Sequence, residues 1–371
     1  MQDELHILMT TDTVGGVWTY SITLCKSLQT YGVKVHLAAM GGFASQSQRQ
    51  EVDALKENLT FYDSNYKLEW MENPWEDVDQ AQHWLHSIYL QVQPDLIHLN
   101  NFAKIHPDWK CPIITVYHSC VATWWRSVHK EPIPQAWNLY LNLLQNTLKA
   151  SDRVVAPSKE LLLQATTILD IDSPVMVIYN AREDRPSSEV KKENFILATG
   201  RVWDEAKNLQ LLEACAKEIS WPVYVAGNST NPASGAEVRL QNVKMLGHLT
   251  SEELNAWMQR AAIFCSPAKY EPFGLAILEA AKAGCALVLS NLRTLKELWD
   301  DAAVYFNPNE KDELWYQIQQ LIDNREYLEV QAFKAKQRSQ TYTASKMARE
   351  YMRLYTYLLR NLKKKLKQKS V

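Results

Sequence analysis

The 371-residue sequence lacks several features that would assign it to particular classes of protein. No apolar run approaches the ~18 residues that a membrane-spanning helix requires. The start, MQDELHILMTTD, has no basic segment followed by a long apolar one, so no secretory signal is predicted. A formal net charge of -2 excludes a globally basic nucleic-acid-binding protein. We therefore expect a cytoplasmic protein that does not bind nucleic acid.

The six cysteines lack the spacing of a metal site or a redox motif. None forms a CxxC pair, and no cluster of Cys and His has the spacing of zinc ligands. Most lie in apolar strand or helix patterns, which is typical of buried free thiols in a reducing compartment. They are Cys25, Cys111, Cys120, Cys215, Cys265 and Cys285.

Short apolar strand patterns alternate with segments of helical length along the chain, and the alternation occurs twice. This order predicts an α/β protein with two Rossmann-like domains of parallel strands, which face a central cleft. We assign residues 1–180 to a first domain, 181–193 to a charged linker, and 194–342 to a second domain. Residues 343–371 form a long helical pattern with a basic end. The predicted strands are HILMTTD, KVHLAAM, DLIHLN, PIITVY, RVVAPS and VMVIYN, then NFILATG, VYVAG, VKMLG, IFCSP, ALVLS and AVYFN.

Ligands of open parallel sheets bind beyond the carboxyl ends of the strands, so the loops there are the candidate sites. The first loop, TVGGVWTY, has Gly15 and Gly16 where the N-terminus of a helix could present backbone N–H groups to an anion. It lacks the GxGxxG spacing of a dinucleotide fingerprint. A tight strand-to-helix turn explains this loop equally well.

A second loop, TGRVWDEAKN, follows the first strand of the second domain. Its Arg201 and Lys207 lie six positions apart, as a clamp for a diphosphate would require. The alternative is that both are solvated surface charges.

A third segment, EPFGLAILEA, contains Glu271 just outside a helix that Phe273, Gly274 and Leu275 begin. Glu279 lies inside that helix among apolar residues, where a carboxylate is costly to bury unless it accepts strong hydrogen bonds. Ribose hydroxyls would supply such bonds. The alternative is a capping Glu followed by an ion-paired helical Glu.

GRVWDEAKN followed by EPFGLAILEA resembles the retaining GT-B glycosyltransferases of family 4, over nearly the whole chain. The resemblance implies that Arg201 and Lys207 hold the diphosphate of a nucleotide sugar and that Glu279 binds its ribose. Glu271 would contact the donor sugar, beside backbone amides of Phe273, Gly274 and Leu275. The segment Gly247–His248–Leu249 would meet the base. The terminal helix would cross back onto the first domain.

The family pattern also places a histidine after a strand of the first domain, which His118 in TVYHSC matches. It would lie near the sugar and position the donor or the acceptor. Two positions depart from the family pattern. Ser119 replaces a commonly acidic residue, and Asn180 is followed by Ala181 and Arg182 where a glycine is frequent. A structural histidine remains the alternative for His118.

The resemblance implies transfer of a sugar, with glucose from UDP-glucose as the best guess, to a carbohydrate or lipid-linked acceptor in polysaccharide or glycolipid biosynthesis. We list Arg201, Lys207, Glu271 and His118 as catalytic residues. Retention of anomeric configuration is the family's usual outcome. No metal or other cofactor is expected, because two cations at one diphosphate can replace a divalent ion. Two Asp-x-Asp pairs, Asp77/Asp79 and Asp170/Asp172, are interpreted as helix-capping or turn residues.

The acceptor should enter from the first domain, where several polar and aromatic side chains lie near predicted strand ends. Aromatic faces suit sugar stacking, although packing is the more common role of each. The candidates are Trp18, Tyr20, Asn100, His118, Trp124, Trp125 and Arg126.

The terminal helical pattern ends in a basic cluster of Arg360, Lys363, Lys364, Lys365, Lys367 and Lys369, preceded by the apolar stripe Tyr351, Leu354, Tyr355, Leu358, Leu359 and Leu362. A docked helix with a solvated end is one interpretation. Peripheral attraction to anionic lipid at the inner face of the membrane is the other.

Three alternative functions remain open on the sequence. A nucleotide-sugar epimerase of the same architecture would share the donor contacts. A dinucleotide oxidoreductase fits the alternating pattern but not the fingerprint. A non-catalytic nucleotide-sugar-binding subunit would keep the donor residues without transferring sugar.

Overall fold

A computed structural model describes residues 4–184, 190–230 and 235–369. They form two compact units. The first unit contains the chain up to Thr123, then Pro132–Ala181 and the helix from Ala344 onward. The second unit contains Trp124–Glu131 and Arg182–Thr343. Part of the predicted linker, residues 185–189, lies outside the described residues.

The first unit is built on a seven-stranded parallel sheet with the order β3-β2-β1-β4-β5-β6-β7. The reversal of strand order between β1 and β4 makes this a doubly wound sheet. Its strands are β1 (Leu5–Asp12), β2 (Val33–Met40), β3 (Leu59–Asp63), β4 (Leu96–Leu99), β5 (Ile113–Val116), β6 (Arg153–Ala156) and β7 (Val175–Val177).

The second unit repeats this plan with a six-stranded parallel sheet in the order β10-β9-β8-β11-β12-β13. Its central strands are continuous apolar runs because helices cover both faces. The strands are β8 (Glu193–Thr199), β9 (Val223–Ala226), β10 (Lys244–Gly247), β11 (Ala261–Ser266), β12 (Ala286–Ser290) and β13 (Val304–Phe306). The predicted fold class, two Rossmann-like α/β domains, is confirmed.

Helices connect most of the successive strands in both units. Those of the first unit are α1 (Gly16–Leu28), α2 (Gln46–Asp53), α3 (Trp75–Val92), α4 (Val121–His129), α5 (Asn138–Ala150) and α6 (Lys159–Thr166), although α4 from Trp124 onward packs with the second unit. Those of the second unit are α7 (Leu209–Ala216), α8 (Ser251–Arg260), α9 (Leu275–Lys282), α10 (Arg293–Trp299), α11 (Lys311–Asp323) and α12 (Arg325–Ser339), and the chain ends with α13 (Ala344–Lys369).

The terminal helix α13 packs on the first unit, as the predicted fold class has it. Its Tyr355 hydroxyl lies 2.7 Å from Nδ1 of His98 in β4, and its Tyr351 ring meets the Tyr20 ring of α1 edge-on at 6.3 Å. Both tyrosines of α13 are fully buried. The apolar stripe is therefore used to dock the helix.

The remaining sequence features have local explanations in the structure. Thr250 and Glu253 form the predicted capping box at the start of α8. All six cysteines are free thiols. Within the described part of the chain, no helix is long and apolar enough to cross a membrane.

Candidate functional site

The strand order of the second sheet reverses between β8 and β11, and the candidate residues cluster in the loops that follow these two strands. Residues 200–208 follow β8, and residues 267–274 follow β11. The crevice at such a switch point is where open α/β sheets bind ligands. The sequence motifs GRVWDEAKN and EPFGLAILEA therefore lie at neighbouring strand ends.

Backbone and amide hydrogen bonds hold these two loops together. The Lys269 N–H donates to the Ala206 carbonyl at 2.8 Å, and Asn208 Nδ2 donates to the Pro267 carbonyl at 2.8 Å. Asn208 is buried and has a left-handed backbone (φ 53°), which asparagine tolerates better than most residues. The loops thus form one rigid support for the side chains that extend from them.

Lys207 and Glu271 meet across this support. The Lys207 Nζ lies 2.8 Å from Oε2 of Glu271, and their side chains are 25% and 15% exposed. The Thr294 hydroxyl donates to the Glu271 carbonyl at 2.7 Å, which fixes the backbone at that position. The pair therefore presents a held ammonium group at the switch point, still open to solvent on one side.

Gly274 shapes the start of α9 beside this pair. Its φ of +83° is strained for residues with a side chain, and an added Cβ would lie 2.7 Å from Cδ1 of Ile277. The helix begins at Leu275, so Gly274 is its N-cap. Phe273 is 5% exposed and packs edge-on against Tyr342, so only its backbone can face a ligand. The first-turn N–H groups of α9 form a site suited to an anion.

Arg201 depends on a carboxylate that sequence reasoning missed. Its Nη2 donates to Oδ2 of Asp204 at 2.6 Å, while the guanidinium lies 5.2 Å from the Trp203 ring. Asp204 is only 5% exposed and also accepts the Ala206 N–H at 3.0 Å. Such a buried carboxylate orients the arginine, whose side chain is 40% exposed. The i,i+3 spacing of Arg201 and Asp204 was the available signal.

Glu279 has a different partner from Glu271. Its Oε1 lies 2.5 Å from Nε of Arg182, and both side chains are mostly buried. Arg182 belongs to the segment that the sequence analysis assigned to the linker. A cavity of about 340 Å³ lies beside Glu279 and is also lined by Ser251 and Asn255 of α8. The carboxylate is therefore balanced by a cation and borders an open volume.

Leu249 lies half-buried in the turn between β10 and α8. The Gly227 N–H donates to the Gly247 carbonyl at 2.8 Å, which brings this turn next to the loop after β9. A Cβ on Gly227 would lie 1.8 Å from the Gly200 carbonyl oxygen, so only glycine fits there. The loops after β8, β9 and β10 consequently pack backbone against backbone.

Gly15 and Gly16 lie in the first unit, between β1 and α1. The amides of Val14 and Gly15 both donate to Oδ1 of Asp12, at 3.0 and 3.1 Å. The Gly15 N–H is therefore already bonded within the protein, and Gly16 is the first residue of α1. A Cβ on Gly15 would meet nothing within 4 Å, so no neighbouring atom excludes a side chain at this position.

His118 follows β5 and is fixed by Asn100, which follows β4. The Asn100 amide nitrogen donates to the Thr10 carbonyl at 2.9 Å, so its Oδ1 accepts from His118 Nε2 at 2.9 Å. Burial, together with a smaller effect of the neighbouring His98, lowers the pKa of His118 to about 3. His118 is therefore a neutral imidazole with its proton on Nε2 and a lone pair on Nδ1.

Several suggested acceptor-binding side chains are unsuited to that role. Trp18, Tyr20 and Asn100 are 4%, 0% and 4% exposed, so they pack in the interior of the first unit. Residues Trp124 to Arg126 belong to the second unit, contrary to their expected place in the first domain. Trp124 donates from Nε1 to Asp204 at 3.3 Å. Strand-end position alone did not distinguish buried side chains from accessible ones.

The Asp-x-Asp pairs occupy the positions interpreted from sequence. Asp77 lies in the first turn of α3, where a carboxylate favours the helix N-terminus. Asp79 pairs with Lys104, and Asp172 lies 3.7 Å from Lys149 in the loop before β7.

Two consecutive doubly wound units, the second with cations and a helix N-terminus at its switch point, define a two-domain Rossmann-like protein suited to a phosphorylated ligand. Residues 14–184 match the family model "Glycosyltransferase Family 4", and residues 180–338 match "Glycosyl transferases group 1". The chain belongs to the GT-B glycosyltransferases of the family 4 type.

Curated relatives match over parts of the chain. The O-antigen biosynthesis glycosyltransferase WclY of Escherichia coli is 27% identical over 201 residues, which are 50% of this chain and 56% of that protein. The glycogen synthase of Mycobacterium tuberculosis is 48% identical over 58 residues, 16% of this chain and 14% of the relative. The chain thus spans about half or less of the length of these relatives.

Solved structures match over nearly the whole chain. Sucrose-phosphate synthase from Thermosynechococcus elongatus superposes with a TM-score of 0.79 at 15% identity, covering 96% of this chain and all of that one. Anabaena Alr3699/HepE in complex with UDP-glucose has a TM-score of 0.70 at 15% identity, covering 95% and 100%. At these identities the superpositions show a shared fold.

Proposed function

We propose that this protein transfers a sugar from a nucleotide-sugar donor, with UDP-glucose as the best candidate, to a carbohydrate or lipid-linked acceptor in polysaccharide or glycolipid biosynthesis. Family membership supports the transfer. The relative WclY is a glycosyltransferase of O-antigen biosynthesis, and the structural neighbour HepE is complexed with UDP-glucose. These likenesses favour a uridine nucleotide and a cell-surface glycan acceptor.

The observation that carries the proposal is the Lys207–Glu271 pair beside the N-terminus of α9 at the β8/β11 switch point. When a glycosidic bond to a diphosphate breaks, negative charge develops on the leaving phosphate. Lys207, Arg201 and the amides of Gly274 and Leu275 would stabilise that charge as it forms. Glu271 holds Lys207 in place before the donor binds and would accept a hydrogen bond from a hydroxyl group of the donor sugar.

Glu279 would bind the ribose of the donor. Its carboxylate oxygens can accept hydrogen bonds from the two ribose hydroxyls. The mostly buried Arg182 compensates the negative charge of Glu279. The cavity beside Glu279 is lined by α8 from Ser251 to Gln259, and residues 247–249 precede this helix. This arrangement supports a base near Leu249 and a ribose near Glu279.

We propose a retaining, metal-independent reaction. Departure of the diphosphate and attack of the acceptor would occur on the same face of the sugar, with the leaving phosphate receiving the acceptor proton. The neutral His118 would orient a hydroxyl group through its Nδ1 lone pair. The two cations supply the charge that a divalent ion provides elsewhere, so the rate should be unchanged in excess EDTA.

A panel of nucleotide sugars tests this function, with release of nucleoside diphosphate measured with and without candidate glycan acceptors. Acceptor-dependent release with one donor supports transfer, and epimerised donor without release would instead indicate an epimerase. Nuclear magnetic resonance of the product reports the anomeric configuration, and an inverted product would refute retention. Lys207→Ala should lose at least tenfold in rate.

The matched control is Lys311→Ala, which breaks a surface ion pair with Glu218 (2.5 Å) in the same unit. Its rate should equal that of the wild type. Equal rates for both variants would remove Lys207 from the site.

We also propose that the basic end of α13 attracts the protein to anionic lipid at the inner, cytoplasmic face of the membrane. Lys363, Lys364 and Lys365 are exposed, whereas the preceding stripe is used in docking. The side chain of Lys369 lies outside the described residues. Attraction would therefore be electrostatic and would weaken with salt. Pelleting with phosphatidylserine vesicles at low salt tests it, and no pelleting there would refute it.

A further inference from the structure

Two histidines and an aspartate of the first unit lie together on a helix and a loop, and none of them belongs to the proposed donor site. His86 lies on α3, and His106 and Asp108 lie in the loop that follows β4. One ligating atom from each side chain falls within 4.8 Å of the others. The two histidines are 20 positions apart, so the sequence shows no short ligand motif.

The nitrogen atoms of this cluster are poorly satisfied by the protein. Nδ1 of His86 is buried and has no hydrogen-bond partner among the residues that the structure describes. Nδ1 of His106 accepts only the Asp108 N–H, at 3.2 Å, and lies 3.7 Å from the Asp108 carboxylate. A buried imidazole nitrogen without a partner carries a desolvation cost that a bound cation would remove.

The loop is held in place on both sides of the cluster. Gln82 of α3 donates from Nε2 to the Ile105 carbonyl at 3.3 Å, and Trp109 is 7% exposed and packs in the core beneath α3. The Lys110 N–H donates to the Tyr89 hydroxyl at 3.1 Å. The Lys110 ammonium group donates a hydrogen bond to the Pro107 carbonyl at 2.9 Å. The donor atoms are therefore brought together by a preorganised backbone.

We propose that His86, His106 and Asp108 form a binding site for a divalent transition-metal ion such as Zn²⁺. Two imidazoles and one carboxylate are the ligand set of a three-ligand zinc site, whose fourth position holds water. Magnesium and calcium prefer oxygen ligands and do not fit this set. The ion would tie α3 to the loop after β4.

Binding requires a small rearrangement of the two rings. They are stacked, with centroids 3.5 Å apart and planes 12° from parallel. In tetrahedral zinc sites the ligand atoms are roughly 3.4 Å apart, and the ion lies in the plane of each imidazole ring that binds it. The rings must therefore turn apart, and the exposed Asp108 carboxylate, now 3.7 Å from Nδ1 of His106, must turn toward the ion. Asp108 is 68% exposed and free to do so.

Titration of the full-length protein with Zn²⁺ against a chromophoric chelator tests this site. We expect one ion per chain with a Kd below about 10 μM, and a Tm that rises with added Zn²⁺. His86→Gln and Asp108→Asn should each weaken binding at least tenfold.

His83→Ala is the matched control, since His83 is exposed on α3 one turn before His86. It should bind Zn²⁺ like the wild type. Asp108→Asn alters an exposed side chain, so its loss of binding cannot be attributed to unfolding. The proposal would be overturned by absence of stoichiometric binding, by His86→Gln or Asp108→Asn binding as tightly as the wild type, or by loss of binding in the His83 variant. UDP affinity measured in parallel separates this result from the donor site.

Discussion

Arg201 reaches solvent, but its orientation depends on a carboxylate that does not. Asp204 is buried and receives the guanidinium at 2.6 Å. Asp204→Asn keeps the shape and removes the charge, so the arginine loses its strong partner. We expect UDP to bind about tenfold more weakly, equivalent to about 1.4 kcal/mol. Isothermal titration calorimetry measures this affinity.

The matched control is Glu237→Gln, which neutralises the partner of Arg239 in an exposed pair. Exposed pairs contribute little, so its UDP affinity and Tm should equal those of the wild type. Unchanged UDP affinity in the Asp204 variant would show that the arginine does not need its carboxylate.

Glu69 is a buried carboxyl group in the first unit, 5% exposed. Burial raises its pKa to about 7, from 4.5 in the unfolded chain. The buried carboxyl group therefore lowers the free energy of unfolding. This loss is complete above pH 7, shrinks as the pH falls from 7 to 4.5, and is absent below pH 4.5. Glu69→Gln should stabilise the protein at pH 8 by about 3 kcal/mol, and the advantage should disappear near pH 4.5.

Chemical denaturation of both proteins across this pH range measures the difference. Burial lowers the pKa of His36 to about 4 and that of His98 to about 3. These histidines weaken both proteins equally as pH falls below 6.5, so the difference isolates Glu69. A difference that does not change with pH would contradict the raised pKa.

Helix α9 depends on the backbone at its N-cap. Gly274→Ala forces a Cβ into a left-handed residue (φ +83°) and to within 2.7 Å of Ile277 Cδ1. The new Cβ would displace the Ile277 side chain and strain the N-cap of α9, so we expect both a lower Tm and weaker UDP binding. Thermal unfolding and calorimetry report the two effects.

Gly32→Ala provides the control, because Gly32 also has a left-handed backbone (φ +66°) but an added Cβ there would meet nothing within 4 Å. Backbone strain alone should lower the free energy of unfolding of this variant by about 1–2 kcal/mol, and its Tm with it. UDP binding should stay intact. If both variants bind UDP equally well, the geometry of the α9 N-terminus does not matter for the donor.

Helix α13 is fixed to the first unit by a buried hydroxyl group. Tyr355→Phe leaves Nδ1 of His98 without its 2.7 Å partner, which should cost about 1–3 kcal/mol of unfolding free energy. Tyr357→Phe on the same helix removes a hydroxyl from a side chain that is 52% exposed and should cost almost nothing. Equal stability of the two variants in urea would show that the helix docks by apolar packing alone.

At the scale of the whole molecule, sequence patterns determined the fold class because parallel strands covered by helices have a strong apolar signature. The half-exposed strand β3 escaped notice, since its pattern in LTFYD is short and mixed. Helix α4 is assigned in part to the second unit, which follows from three-dimensional packing and has no local signal.

The candidate site divides in the same way. Lys207 and Glu271 were predicted because their motifs follow strands whose ends the topology makes adjacent. Asp204 and Arg182 were missed as partners, since a carboxylate or an arginine in a polar loop looks like any surface charge until its burial is known. The His86–His106–Asp108 cluster is formed by a helix and a distant loop, and spacing along the chain cannot reveal it.

The central claim is that the β8/β11 switch point holds the diphosphate of a nucleotide sugar through Lys207. Calorimetric titration of wild type, Lys207→Ala and Lys311→Ala with UDP and with uridine tests it most directly. We predict that Lys207→Ala weakens UDP binding at least tenfold, leaves uridine binding unchanged, and that Lys311→Ala alters neither. Equal UDP affinity in wild type and Lys207→Ala would contradict the account.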